Sequence, residues 1–131
     1  MANQITHIAL AEKKYDQLFS KFEKQDFFIG TVFPDIRYLG VIERERTHDN
    51  DFLLPKILDD RNTAFRAGVK YHCLVDAVRE KFMTEQGLYA LVPQSKYITQ
   101  AIKCLEDEVF YSEVSDWAIY VAMLQQILPE E

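Results

Sequence analysis

Glycine and proline are scarce in this chain, with four of each among 131 residues, about half of ordinary usage. So few breakers leave room for few tight turns and point to long helices. Cysteine is scarcer still. Cys73 and Cys104 are the only two; they belong to no spaced motif and suit a reducing compartment rather than a disulfide framework. A basic surplus is also missing, since 21 acids outweigh 15 bases for a net charge of −6. That balance argues against a protein that grips the phosphate backbone of nucleic acid. The longest uninterrupted apolar run, Trp117 to Leu124, is too short to cross a bilayer. Before Glu12 there is neither the basic region nor the apolar stretch of a secretory signal. The expected location is therefore the cytoplasm.

What is present is ordinary globular material: 48% hydrophobic and 27% charged residues. A chain of this length forms one domain, 1–131, and buries about two thirds of its unfolded surface. Tyr15, Leu18, Phe19 and Phe22 recur at helical spacing, which predicts a first helix from Ile5 or Ala9 to about Glu23. A shorter helix is expected over Asp26 to Val32, ended by Pro34. Asp35 to Pro55 shows no clean period and reads as irregular, with a short helix over Leu53 to Leu58. From Asn62 or Thr63 to Met83 the pattern is strong. Ala67, Tyr71, Leu74, Val75, Val78 and Phe82 form one apolar stripe, with Arg66, Lys70 and Lys81 on the other side.

Over 94–128 two packing helices are expected. One follows Pro93 with Ser95 as N-cap and buries Tyr97, Ile98, Ala101, Ile102, Leu105 and Val109. The other, capped by Ser115, carries Val114, Trp117, Ala118, Val121, Leu124 and Ile127. No segment alternates long enough to demand a strand, so the expected class is all-α, with about five helices.

His72 and Asp76 stand four apart and so lie one turn apart on one helical face, at the edge of the buried stripe. An unpaired charge there would be costly. Either the two residues hydrogen-bond to one another, or both ligate one ion. The other two histidines fall in suggestive settings: His7 in Thr6-His7 at the mouth of the first helix, and His48 in Thr47-His48 within the irregular stretch. Asp35 follows the helix-ending Pro34 in Gly30-Thr31-Val32-Phe33-Pro34-Asp35-Ile36.

This order, completed by Gly68-Val69-Lys70-Tyr71-His72-Cys73-Leu74-Val75-Asp76, resembles the zinc-dependent phospholipase C family, whose helical fold is shared with S1/P1-type nucleases. The resemblance spans residues 5–83. It implies a metal ion, zinc above all, held by Asp35, His48, His72 and Asp76, with Asp76 bridging to a second ion that also takes His7. It also implies that Asp35 acts as a catalytic general base, and that the activity is hydrolysis of a phosphoric ester, a small phosphoester or a lipid head group. No histidine follows Asp76, so the family's further metal site is incomplete here. A non-enzymatic helical adaptor that retains the fold is the alternative this truncated ligand set suggests. His48-Asp49 separately resembles the paired motif of the HD phosphohydrolases, with His7 and Asp76 in the outlying roles. Arg37, Arg44 and Arg46 lie near Asp35 and His48 in the sequence and would suit a phosphate oxygen, or else form a solvated charged loop. Cys73 projects to a different face from His72 and reads as a small core or boundary residue.

Overall fold

A computed structural model describes residues 2–40 and 42–126 and, within them, all side chains except those at 37–39. Among the described residues there is no strand. Seven α-helices follow one another: α1 (Gln4–Lys14), α2 (Lys24–Val32), α3 (Arg44–Thr47), α4 (Leu54–Ile57), α5 (Ala64–Glu85), α6 (Ile98–Tyr111) and α7 (Trp117–Gln125). The all-α class holds, and α3 and α4 are single turns within the stretch that lacks a clean apolar period. No helix among the described residues is long and apolar enough to cross a membrane.

The first helix differs from its expected form in one instructive way. After α1 the chain winds through a π-turn, Tyr15–Phe19. Its wider winding re-phases the apolar stripe, so Tyr15 and Phe19 are buried while Leu18 is 39% exposed. A tight 3-10 segment, Phe33–Leu39, follows α2 and turns Asp35 inward, where it is buried. The Thr63 hydroxyl accepts from the Arg66 N–H and caps α5, the longest helix.

Aromatic rings fill the core. Phe19 stacks on Phe27 at 4.9 Å and meets Tyr71 edge-on at 5.0 Å, and Phe28 lies 4.8 Å from Tyr120. Each such ring, fully buried, contributes about 1.5–3 kcal/mol. Two glycines let α2 and α5 approach closely. A Cβ at Gly68 would lie 2.1 Å from the Phe27 carbonyl oxygen, and one at Gly30 would lie 2.1 Å from that of Phe65. Only glycine fits either side of this crossing.

Several expected core positions prove to be surface. Val78 and Phe82 are exposed because α5 continues past α2, which packs on its first half through Gly68 and Tyr71. Lys70, placed on the solvent side by its charge, is buried, its ammonium donating to the Asp51 carbonyl at 3.0 Å. Ser95 caps no helix, since α6 begins only at Ile98. At α7 the cap is Asp116, whose carboxylate accepts from the Ala118 N–H, while Ser115 donates to Glu12. Tyr97, Ala101, Leu105 and Val109 of the α6 stripe are exposed, as are Ala118 and Val121 of α7; Ile127 lies outside the described residues.

Candidate metal centre

Four segments bring their side chains to one place. The base is α5, which presents His72 and, one turn on, Asp76; both are buried. The close crossing of α2 sets the Thr31 carbonyl oxygen 2.9 Å from His72 Nδ1. A carbonyl can only accept, so Nδ1 carries the proton and Nε2 keeps its lone pair. That lone pair faces Asp76 Oδ2 at 3.5 Å and Asp35 Oδ1 at 3.9 Å.

His48 is oriented in the same way. It stands at the C-terminal end of α3, and its Nδ1 lies 3.0 Å from Thr47 Oγ1. The Thr47 hydroxyl donates to the Arg44 carbonyl at 3.1 Å. With that proton committed, the hydroxyl can only accept from His48, so Nδ1 is again the N–H and Nε2 is the nitrogen turned inward. His48 Nε2 lies 3.9 Å from Asp76 Oδ2. Anchoring of the outer ring nitrogen is the usual way a protein aims an imidazole at a metal.

The fifth side chain comes from α1. The His7 ring is fully buried and stacks on that of His72, with centroids 3.9 Å apart and an interplanar angle of 18°. His7 Nε2 lies 3.4 Å from Asp76 Oδ1. Burial holds the His7 imidazole down to a pKa of about 4, against the opposing pull of Asp76. His7 is therefore neutral at ordinary pH. Burial pushes the Asp76 carboxyl up, but hydrogen bonding and charge from His7 and His72 outweigh it, and its pKa is lowered. Asp76 also accepts the backbone N–H of Ala2 at 2.8 Å. It is an anion.

This arrangement gathers three imidazoles and two carboxylates in one buried place, with Asp76 the anion among them. The donor atoms of His7, His72 and Asp76 lie within 4.8 Å of one another, so this buried group could hold a metal ion. A tetrahedral ion with bonds of about 2.1 Å has donor edges of roughly 3.4 Å. Each Asp76 oxygen faces one imidazole at about that spacing, Oδ1 at 3.4 Å from His7 and Oδ2 at 3.5 Å from His72. The donor set fits a divalent cation of the borderline type.

One side of the centre opens on a cavity of about 340 Å³ whose wall includes His48, Asp76, Arg44, Asp49 and Glu80. Of the three arginines considered for phosphate, Arg44 lines this cavity, Arg46 is exposed and does not line it, and the Arg37 side chain lies outside the described residues. Asp49, the second half of the His-Asp pair, is engaged by Arg66 at 2.7 Å and Lys70 at 3.5 Å. Cys73 is buried at the cavity wall, where its sulfur accepts the Asp49 N–H and burial pushes the thiol pKa up. A sulfur so placed is neither a thiolate nucleophile nor a strong ligand.

The structure thus brings His7, Asp35, His48, His72 and Asp76 together. Three contributors left little trace in the sequence: the Thr31 carbonyl, the Thr47 hydroxyl and the Ala2 N–H. Thr47 alone carried a signal, by preceding His48. No family model, curated protein or solved structure matches this chain.

Proposed function

We propose that this protein is a metal-dependent phosphoric-ester hydrolase, related to the zinc-dependent phospholipase C family, with zinc the preferred ion. The observation that carries the reading is the buried group His7, His72 and Asp76, whose donor atoms lie within 4.8 Å of one another, with Nδ1 of both His72 and His48 anchored so that Nε2 turns toward Asp76. His7, Asp35, His48, His72 and Asp76 would hold the ion. When bound, it lowers the pKa of a coordinated water and polarises the phosphoryl oxygen.

The chain's own residues do the rest. Asp35, buried beside His72, takes a proton from the attacking water. Arg44, on the cavity wall, binds an equatorial phosphate oxygen. The burial of His7 and His72 keeps bulk water from the inner face of the centre, so a substrate enters past His48 and Asp76. Thr31 and Thr47 hold the two imidazoles in the ligating tautomer.

One observation favours a second reading, a non-enzymatic adaptor whose ion only ties helices together. His7 and His72 are fully enclosed, as in a structural site, whereas a catalytic site keeps a position open to substrate. Elemental analysis of untagged protein, followed by a screen of phosphomonoesters and phosphodiesters with zinc, manganese or magnesium, separates the two. The hydrolase reading expects about one equivalent of metal and turnover abolished by His72→Ala. Metal without turnover favours the adaptor. Less than a tenth of an equivalent, with no uptake of added zinc, removes both.

A further inference from the structure

Asp76 uses its two carboxylate oxygens differently. Oδ2 faces His72 Nε2 at 3.5 Å and His48 Nε2 at 3.9 Å. Oδ1 accepts the Ala2 N–H at 2.8 Å and has His7 Nε2 at 3.4 Å. A carboxylate pinned at one oxygen cannot turn without breaking that bond, so the Ala2 N–H aims Oδ2 at the two imidazoles. Ligating carboxylates are commonly fixed in this way. Ala2 is fully buried, but its methyl side chain has no polar group with which to hold its own backbone in place.

The hold comes from the next residue. Asn3 is the N-cap of α1, a position at which asparagine ordinarily accepts from the helix's own N–H groups. Asn3 makes no such bond. Its side-chain amide donates instead to Asp107 Oδ2 of α6 at 2.8 Å, across 104 residues of sequence. Its carbonyl accepts the His7 N–H at 3.1 Å. One residue thus ties α6 to the start of α1, with Ala2 on one side and the turn carrying His7 on the other. The far end of the link is fixed as well. Glu106, beside Asp107, holds Arg79 of α5 at 2.8 Å. Arg79 stands three residues beyond Asp76, so the path that leaves α5 at Asp76 returns to it within one helical turn.

We propose, on the reading that this centre binds a metal ion, that Asn3 and Asp107 are positioning residues for it. Their hydrogen bond fixes the Ala2 N–H, and through it the oxygen that Asp76 turns to the ion. Helix α6 supplies none of the five gathered side chains, yet it sets the affinity of the centre. Two features separate this role from general support of the fold. Asn3→Ala removes the donor to Asp107 without removing a cap bond. Asp107→Asn removes the charge and keeps an acceptor for Asn3.

Zinc affinity of the full chain, read by competition with a chromophoric chelator on variants shown to be folded by circular dichroism, tests this. Asn3→Ala and Asp107→Ala each lower affinity about tenfold, the lower end of losses for supports beyond the ligands themselves. The double variant loses no more than either single one, because both remove the same bond. Asp107→Asn binds zinc as the wild type does. In chelator-treated protein the His7 amide exchanges about fivefold faster in Asn3→Ala, the effect of losing about one net hydrogen bond. Zinc bound equally by the wild type and both alanine variants overturns the proposal and leaves the metal reading intact. An equal loss in Asp107→Asn overturns it too, since charge rather than the hydrogen bond would then be at work. Unchanged amide exchange overturns the pinning of the segment without reference to metal. A wild-type protein that takes up no zinc overturns the metal reading itself, and the positioning role with it.

Discussion

At the scale of single residues, the polar centre is set by where protons sit. A histidine ligates through whichever nitrogen lacks the proton, and that choice is made by the partner of the other nitrogen. For His72 the partner is a main-chain carbonyl, fixed by the helix crossing. For His48 it is a threonine hydroxyl whose own proton is already given away. Thr47→Val keeps the side-chain shape and removes the hydroxyl, leaving His48 free to rotate or change tautomer. Zinc affinity, followed by competition with a chromophoric chelator, is expected to fall about 10- to 100-fold, the usual effect of losing such a support. Unfolding stability should fall by only about 1 kcal/mol, the loss of one partly buried hydrogen bond. An unchanged affinity would mean that Thr47 does not orient a ligand.

At the scale of elements, the α2–α5 crossing governs both the core and the centre. It stacks Phe19, Phe27 and Tyr71 and carries the Thr31 carbonyl to His72. Gly68 permits it, because an added Cβ would meet the Phe27 carbonyl oxygen at 2.1 Å, and main chain inside a helix has little freedom to withdraw. Gly68→Ala is expected to destabilise the fold by about 3 kcal/mol, the upper end of overpacking costs, although alanine is the better helix former by about 1 kcal/mol. Urea unfolding measures this. A stabilised variant would show that the two helices are not held this close. The same change should also weaken zinc binding, since separating the helices withdraws the Thr31 acceptor.

At the scale of the whole molecule, enclosure of neutral imidazole makes stability depend on pH. The His7 pKa falls from its ordinary 6.5 to about 4 in the fold, chiefly through burial. Between these values the unfolded chain binds a proton that the folded chain does not. Stability contributed by neutral His7 is therefore present above pH 6.5 and is lost as pH falls toward 4, at up to about 1.4 kcal/mol per pH unit. Asp76, whose carboxyl is lowered from an ordinary 3.8, loses its contribution at still lower pH, below this window. Urea midpoints of chelator-treated protein between about pH 7 and pH 4.5 should decline steadily, and His7→Gln should flatten the curve. A flat wild-type curve would mean that His7 is not enclosed as a neutral ring.

Much of this protein is legible in one dimension because periodicity is a local property. The long helix carrying His72 and Asp76 follows from apolar spacing, and the scarcity of glycine and proline anticipates an all-helical chain. The i, i+4 relation of His72 and Asp76 is likewise a matter of helical rise alone. Periodicity says which face of a helix is apolar, but not which neighbour covers it. Val78, Phe82, Leu105 and Val109 were expected inside and lie outside because α5 outruns α2 and α6 packs through Ile102, Lys103 and Phe110, off the centre of its apolar stripe. The π-turn at Tyr15–Phe19 altered a stripe that a uniform 100° projection could not follow. The glycine crossing was invisible as well, since scarce glycines say nothing about which two will face each other. Only tertiary structure could bring His7, Asp35 and His48 to the His72–Asp76 pair. Their convergence depends on α1, the segment after α2 and the end of α3 arriving at one face of α5, a matter of packing geometry rather than of local pattern.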